Sequence, residues 1–237
     1  MSGRLSCLYA KELRAYFHNP AAYIVSVVFL LIAGYLFTQP LFLINQADIR
    51  PFTELAPLLL VFFVPAVTMR LFAEEAKEGT LELLMTLPVQ EWQVLLAKFF
   101  AAWTLLAFTL ALTAAYPISV AMLGRVDAGA IVGSYLGLML TGALLAGAGI
   151  FASSMTRNQV VAFIIAFLIS FGLYLCGKTS TYLPLALARV ADFIGLDSHL
   201  DALSRGVIDS RDLLYYATCT GLFLFLTQVR LTLARSD

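Results

Sequence analysis

Apolar residues run almost unbroken through most of this chain, and charge is confined to short interruptions. The apolar runs cover residues 21–43, 55–71, 94–123, 130–153, 159–176 and 213–233. About 20 apolar residues suffice for a helix to span a bilayer, so each run has the length of one transmembrane helix. The second run holds Pro57 and Pro65, and the third holds Pro117. Proline is tolerated in a span where neighbours satisfy the carbonyl it frees, and Pro117 predicts a kink.

The segments between the runs have patterns of their own. Residues 1–19 place Leu5, Leu8, Tyr9, Leu13, Tyr16 and Phe17 at helical spacing, with Arg4, Lys11 and Arg14 off that stripe, before Asn19-Pro20 breaks the helix. This predicts an amphipathic helix in the membrane interface, or an extension of the first span. Gly124-Arg125-Val126-Asp127 and Thr156-Arg157-Asn158 read as tight turns. Residues 177–211 are longer and mixed. Leu183, Leu187, Val190 and Ile194, then Leu196, Leu200, Leu203 and Val207, recur near helical spacing. They predict one or two short amphipathic helices that cap the outer face, lying on the membrane or dipping into it. The fold class expected is therefore an all-α membrane protein of one domain, 1–237, with six transmembrane helices, an N-terminal interfacial helix, a charged helix between spans two and three, and short outer helices between spans five and six.

The most charged interruption lies at 73–92. Four glutamates and a lysine, Glu74, Glu75, Lys77, Glu78 and Glu82, fall within nine residues. Such a segment faces water or a protein partner. Glu74, Glu75 and Glu78 share one face of a helical turn, with Lys77 opposed. Gly79 offers a break, and Thr80 can cap a second helix, 81–87, stopped by Pro88. Leu81, Leu84 and Met85 then form an apolar ridge beside Glu82, and Leu83 and Leu87 add to it. A solvated spacer has no use for those leucines. A helix with acidic flanks and an apolar ridge suits docking into a groove on a partner.

Composition agrees with the pattern. Hydrophobic residues make up 61% and charged residues 13%, against about 45–50% and about 25% in soluble domains. Net charge is zero, which argues against nucleic acid as a partner. The first span follows basic residues as a signal peptide would, but no small-residue cleavage site follows, so it is expected to stay attached. Orientation comes from Lys and Arg: the N-terminal helix carries three basic residues, and the linkers after spans one and three carry one each. Both termini and the charged segment are therefore expected in the cytoplasm. Cys7, Cys176 and Cys219 show no paired spacing, and no disulfide framework is expected.

Several chemistries find no support. The runs hold no Asp or Glu, whereas an ion-coupled carrier needs an ionisable group near midplane. His18 and His199 lie on opposite sides of the predicted membrane, and no zinc spacing or acid pair accompanies them. Residues 172–179, Gly-Leu-Tyr-Leu-Cys-Gly-Lys-Thr, fit the phosphate-loop pattern letter for letter. That pattern works where a strand feeds a glycine loop, and here the letters end a transmembrane run. Span four repeats small residues on two lines, Gly133, Gly137, Thr141 and Ala143, Gly147, which allow close helix packing within the chain or against a second copy. Tyr116, Thr141 and Gln228 are polar groups within spans that line a path or pack helices.

Segment 72–89 resembles the loop after span two in permease subunits of the ABC-type export family (the ABC-2 membrane family). Residues 11–20, Lys-Glu-Leu-Arg-Ala-Tyr-Phe-His-Asn-Pro, resemble the connecting helix of its gliding-motility and copper-processing branch, and residues 205–212 its approach to span six. The resemblance implies a six-span subunit of the cell inner membrane, without ATPase or cofactor of its own, that pairs with a second permease subunit, as a homodimer or heterodimer. ATP and magnesium would be bound by a cytoplasmic ABC ATPase docked beneath, and an outer-face accessory protein would be a further partner. By position, Glu74, Glu75, Lys77, Glu78, Gly79, Thr80, Glu82, Leu83, Leu84 and Pro88 would belong to the ATPase-coupling helix region, and Lys11, Glu12 and Arg14 to the connecting helix. A membrane scaffold without transport, or a mechanotransmitting subunit of a larger envelope assembly, is the alternative.

Overall fold

A computed structural model of the protein describes residues 2–44, 50–81, 90–123, 127–180, 184–207 and 209–236. The described residues are helical with short turns and contain no strand. In chain order the helices are α1 (Ser2–His18), α2 (Pro20–Ile44), α3 (Arg50–Thr68), α4 (Ala73–Glu78), α5 (Glu91–Leu112), α6 (Ala115–Leu123), α7 (Ala128–Ser154), α8 (Gln159–Thr179), α9 (Leu185–Ile194), α10 (Leu196–Ser204) and α11 (Ser210–Ser236).

Local chemistry sets several of the boundaries. The Asp127 carboxylate caps α7 by accepting from the backbone N–H groups of Gly129 at 2.9 Å and Ala130 at 3.4 Å. The Asn158 side chain accepts from Val160 N–H at 2.9 Å and opens α8. Gly79 ends α4 at φ +73°, a left-handed conformation that costs glycine little. The kink predicted at Pro117 is found as a break between α5 and α6 at Thr113 and Ala114. Proline has no N–H to reach four residues back, so the Thr113 carbonyl accepts instead from Tyr116 N–H at 2.9 Å. The predicted third span is thus two helices.

Among the described residues, five helical stretches are long and apolar enough to cross a membrane: α2, the run through α3, the run through α5 and α6, α7 and α8. The expected sixth span is helical, as α11, and at 27 residues it is long enough. It is not among those five. The outer connector forms two short helices, α9 and α10.

Helix α7 is the centre of the bundle and packs against α3, α5, α8, α10 and α11. Leu138, Leu144, Leu145 and Ile150 are fully buried there. Glycines permit the approach. A Cβ on Gly133 would stand 2.1 Å from the Leu203 carbonyl oxygen, and one on Gly149 would stand 2.0 Å from Thr68 Oγ1. The small-residue lines of span four are therefore used within the chain: Gly133 and Gly137 receive α10, Thr141 bonds α11, and Gly147 faces Thr220 and Phe223. The reading of these lines as a face for a second copy is set aside. Because Gly133 meets α10 and Gly149 meets the end of α3, α9–α10 and α4 lie at opposite ends of α7. Outward faces are apolar, with Ile24 and Leu31 on α2, Val160, Ile164 and Leu168 on α8, and Leu222 and Phe225 on α11 exposed.

Residues 172–179 lie in the last turns of α8, with no open loop of amides. The Lys178 ammonium pairs with the Asp197 carboxylate of α10 at 2.9 Å.

Candidate functional site

At the α4 end of the bundle, three elements converge on one buried cation. Lys98, at the start of the third turn of α5, is 1% exposed. Its Nζ donates to Glu75 Oε1 of α4 at 2.7 Å and to Glu12 Oε1 of α1 at 3.2 Å. It also lies 5.3 Å from the centre of the Phe72 ring, within cation–π range. An ammonium removed from water is stable only when its donors meet acceptors and its charge is balanced. The two carboxylates approach one another because the lysine lies between them.

The turn before α4 is held as firmly. The Ser153 hydroxyl, at the end of α7, accepts from the N–H groups of Phe72 and Ala73, each at 3.0 Å, and donates to the Met69 carbonyl at 2.9 Å. These are backbone groups that the end of α3 and the start of α4 leave without helical partners. Ser153 and Phe72 are buried. Helix α1 is fixed by two phenols. Tyr16 O–H donates to the Val67 carbonyl at 3.0 Å, and Tyr9 O–H and the Thr104 hydroxyl share a bond of 2.9 Å. Burial pushes the Tyr16 phenol up, and the nearby Glu12 carboxylate adds to this, so it remains a neutral donor.

Between α1 and α4 lies a cleft of about 470 Å³ with Lys98 in its lining. Lys11 and Glu12 line the α1 side, and Arg70, Glu74, Glu75 and Glu78 the other. The structure thus brings together two groups that lie far apart in the sequence, the α1 residues and the glutamate face of the charged segment. Glu12 and Glu75 share a cation, and Lys11, Glu74, Glu78 and Thr80 border the same cleft. The Thr80 hydroxyl donates to the Glu75 carbonyl at 3.3 Å, across the left-handed Gly79. Lys77 points the other way, as its opposed position predicted, and lines a second cleft with Arg157. Arg14 is exposed. Glu82, Leu83, Leu84 and Pro88 lie outside the described residues.

Two of the polar residues within spans bond to neighbouring helices. Tyr116 O–H donates to the Leu30 carbonyl at 3.1 Å, and its ring stacks on Phe37 at 4.9 Å. The Thr141 hydroxyl, fully buried, donates to Tyr216 Oη at 3.1 Å. Gln228 is half-buried on α11, and its backbone carbonyl accepts from Thr232.

Sequence reading missed Lys98 and Ser153 as site residues. A lysine only a few residues inside an apolar run was the available signal, since a charge there needs partners. Nothing in the sequence marked Ser153. It also missed a cluster at the opposite end, where His199 Nδ1 lies 2.7 Å from Asp212 Oδ1 and the imidazole stacks on Tyr215 at 4.0 Å. Tyr215 O–H donates to the Ile194 carbonyl. This cluster ties α9, α10 and α11 together.

No curated protein shows significant similarity to this chain. A family model does: the one described as ABC-2 family transporter protein matches residues 7–228, from within α1 to near the end of α11, and so takes in every element of the Lys98 site. The chain belongs to the ABC-2 family of transporter proteins.

Proposed function

We propose that this protein is the membrane-spanning permease subunit of an ATP-driven ABC exporter, that it works as a dimer, and that its α1–α4–Lys98 assembly receives the stroke of a separate cytoplasmic ATPase. Family membership implies an ABC ATPase partner and a bilayer. The single observation that carries the coupling role is the joining of α1 and α4 through the buried Lys98 ammonium. A force on either helix reaches α5 through that ion pair, and reaches α7 through the Ser153 hydrogen bonds. Packed elements linked this way move together rather than deform.

In this reading α11 is the sixth span, and both termini and α4 face the cytoplasm. The membrane is the cell inner membrane, and α9–α10 cap the outer face, where an accessory protein can dock. ATP and Mg²⁺ belong to the ATPase, and this chain binds neither. The likeness of residues 11–20 and 205–212 to the gliding-motility and copper-processing branch supports placing the protein there. The choice between homodimer and heterodimer is fixed by the partner recovered.

The test is purification of the tagged chain from its native membrane in mild detergent. A stoichiometric ATPase is expected, and the variant Glu74→Lys/Glu78→Lys, which leaves the Glu75–Lys98 pair intact, is expected to insert normally while losing it or its coupling. Normal export by that variant sinks the coupling role. An intact complex that functions with a catalytically dead ATPase turns the reading to a scaffold.

A further inference from the structure

The cleft on the other side of α4 has a different character from the Lys98 cleft. It measures about 400 Å³ and is lined by Lys77 of α4 and by residues Thr156, Arg157, Asn158, Gln159 and Val160 of the α7–α8 turn. Among the described residues, two cations and no carboxylate form its wall. Both cations are exposed, and neither has an ion-pair partner among the described residues. Like charges brought to one concave surface repel unless an anion lies between them. The first turn of α8, whose dipole favours negative charge, opens into the same space.

A second feature continues from this cleft. Val160, in its lining, is 64% exposed, and Ile164 and Leu168 follow at 48% and 60%. Four-residue spacing puts all three on one line down α8. The basic mouth therefore continues into an exposed apolar stripe along a helix long and apolar enough to span a membrane. A soluble anion has no use for that stripe, whereas a phospholipid has both parts.

We propose that Lys77 and Arg157 bind the phosphodiester of an anionic membrane lipid whose acyl chain lies along Val160, Ile164 and Leu168. Basic pockets between spanning helices on the cytoplasmic side suit such headgroups. Placement in the inner leaflet rests on the topology proposed above. The consequence is mechanical: Glu75 holds one face of α4 to Lys98, and the lipid, through Lys77, tethers the opposite face to the α7–α8 turn. Lipid composition then sets the resting position of the helix that receives the ATPase.

Native mass spectrometry of the full chain in mild detergent tests this, with phosphatidylglycerol, phosphatidylcholine and inorganic phosphate as probes. Each basic group near an anionic surface contributes a factor of about five, so phosphatidylglycerol is expected to be retained about twenty-five-fold better than phosphatidylcholine. Lys77→Gln/Arg157→Gln should abolish that preference. The swap Lys77→Arg/Arg157→Lys should keep it, which separates loss of charge from loss of fold. An unchanged preference in the glutamine variant overturns the proposal. So does displacement of phosphatidylglycerol by equimolar inorganic phosphate, which identifies a soluble-anion site. No ATPase enters the assay, so its failure leaves the coupling role standing, and a failure of ATPase docking leaves the lipid site standing.

Discussion

Lys98 concentrates more physical consequence than any other side chain in the described structure. Removing its charge, as in Lys98→Met, leaves Glu12 and Glu75 facing one another with no cation between them. Breaking a buried ion pair by deleting one partner costs about 3–5 kcal/mol, and that loss is expected in thermal or denaturant unfolding of the detergent-solubilised protein. The cost comes from the stranded carboxylates rather than from a missing attraction. The triple variant Lys98→Met/Glu12→Gln/Glu75→Gln should therefore recover most of the stability. It should recover no coupling to an ATPase, because the link between α1 and α4 is gone. Ser153 makes a parallel case with neutral groups. Its hydroxyl satisfies two backbone donors and one acceptor, so Ser153→Ala strands buried amides at about 1–3 kcal/mol. Hydrogen exchange at Phe72 and Ala73 should rise in that variant while exchange in the middle of α7 stays unchanged.

Among the helices, α7 shows how approach distance governs tolerance. An alanine Cβ at Gly133 would press against a backbone carbonyl at 2.1 Å, and carbonyls cannot rotate aside as side chains do. Gly133→Ala should cost about 1–3 kcal/mol through displacement of α10. At Gly172, in α8, nothing lies within 4 Å of the added atom. Gly172→Ala should be neutral or stabilising by about 0.5–1 kcal/mol, since alanine loses less chain entropy in a helix. Unfolding midpoints of the two single variants decide the contrast. At this scale much was legible in the sequence. The apolar runs marked the long helices because bilayer length imposes one period on all of them. Pro117 marked the break because a proline removes one identifiable bond. The glutamate face and the opposed Lys77 followed from helical geometry alone. The meeting of Glu12 with Glu75 was not legible, because it depends on how α1 folds back onto α5. Nor was Ser153, because a serine capping the turn of another helix has the same local pattern as one bonded to its own.

Across the whole molecule, the arrangement separates two kinds of work by the length of α7. Its 27 residues rise about 40 Å at 1.5 Å each, more than the roughly 30 Å of a bilayer's hydrocarbon. One end holds the Lys98 assembly, both charged clefts and the Glu91–Thr232 hydrogen bond that brings in the last turns of α11. The other holds α9, α10 and the His199–Asp212 cluster. A stroke delivered at α4 can reach α10 along α7 and its glycine contacts, and along α8 through the Lys178–Asp197 pair; in the proposed topology these two ends lie on opposite sides of the membrane. Single cysteines test this directly. With Cys7, Cys176 and Cys219 replaced by serine, Asp192→Cys on the exposed surface of α9 should react with a membrane-impermeant maleimide in intact cells. Glu78→Cys on α4 should react only after the membrane is permeabilised. Labelling of both from the same side would place α4 and α9 on one surface. It would leave α7 as a packing element rather than a transmitter, and would remove the mechanical basis for coupling through Lys98.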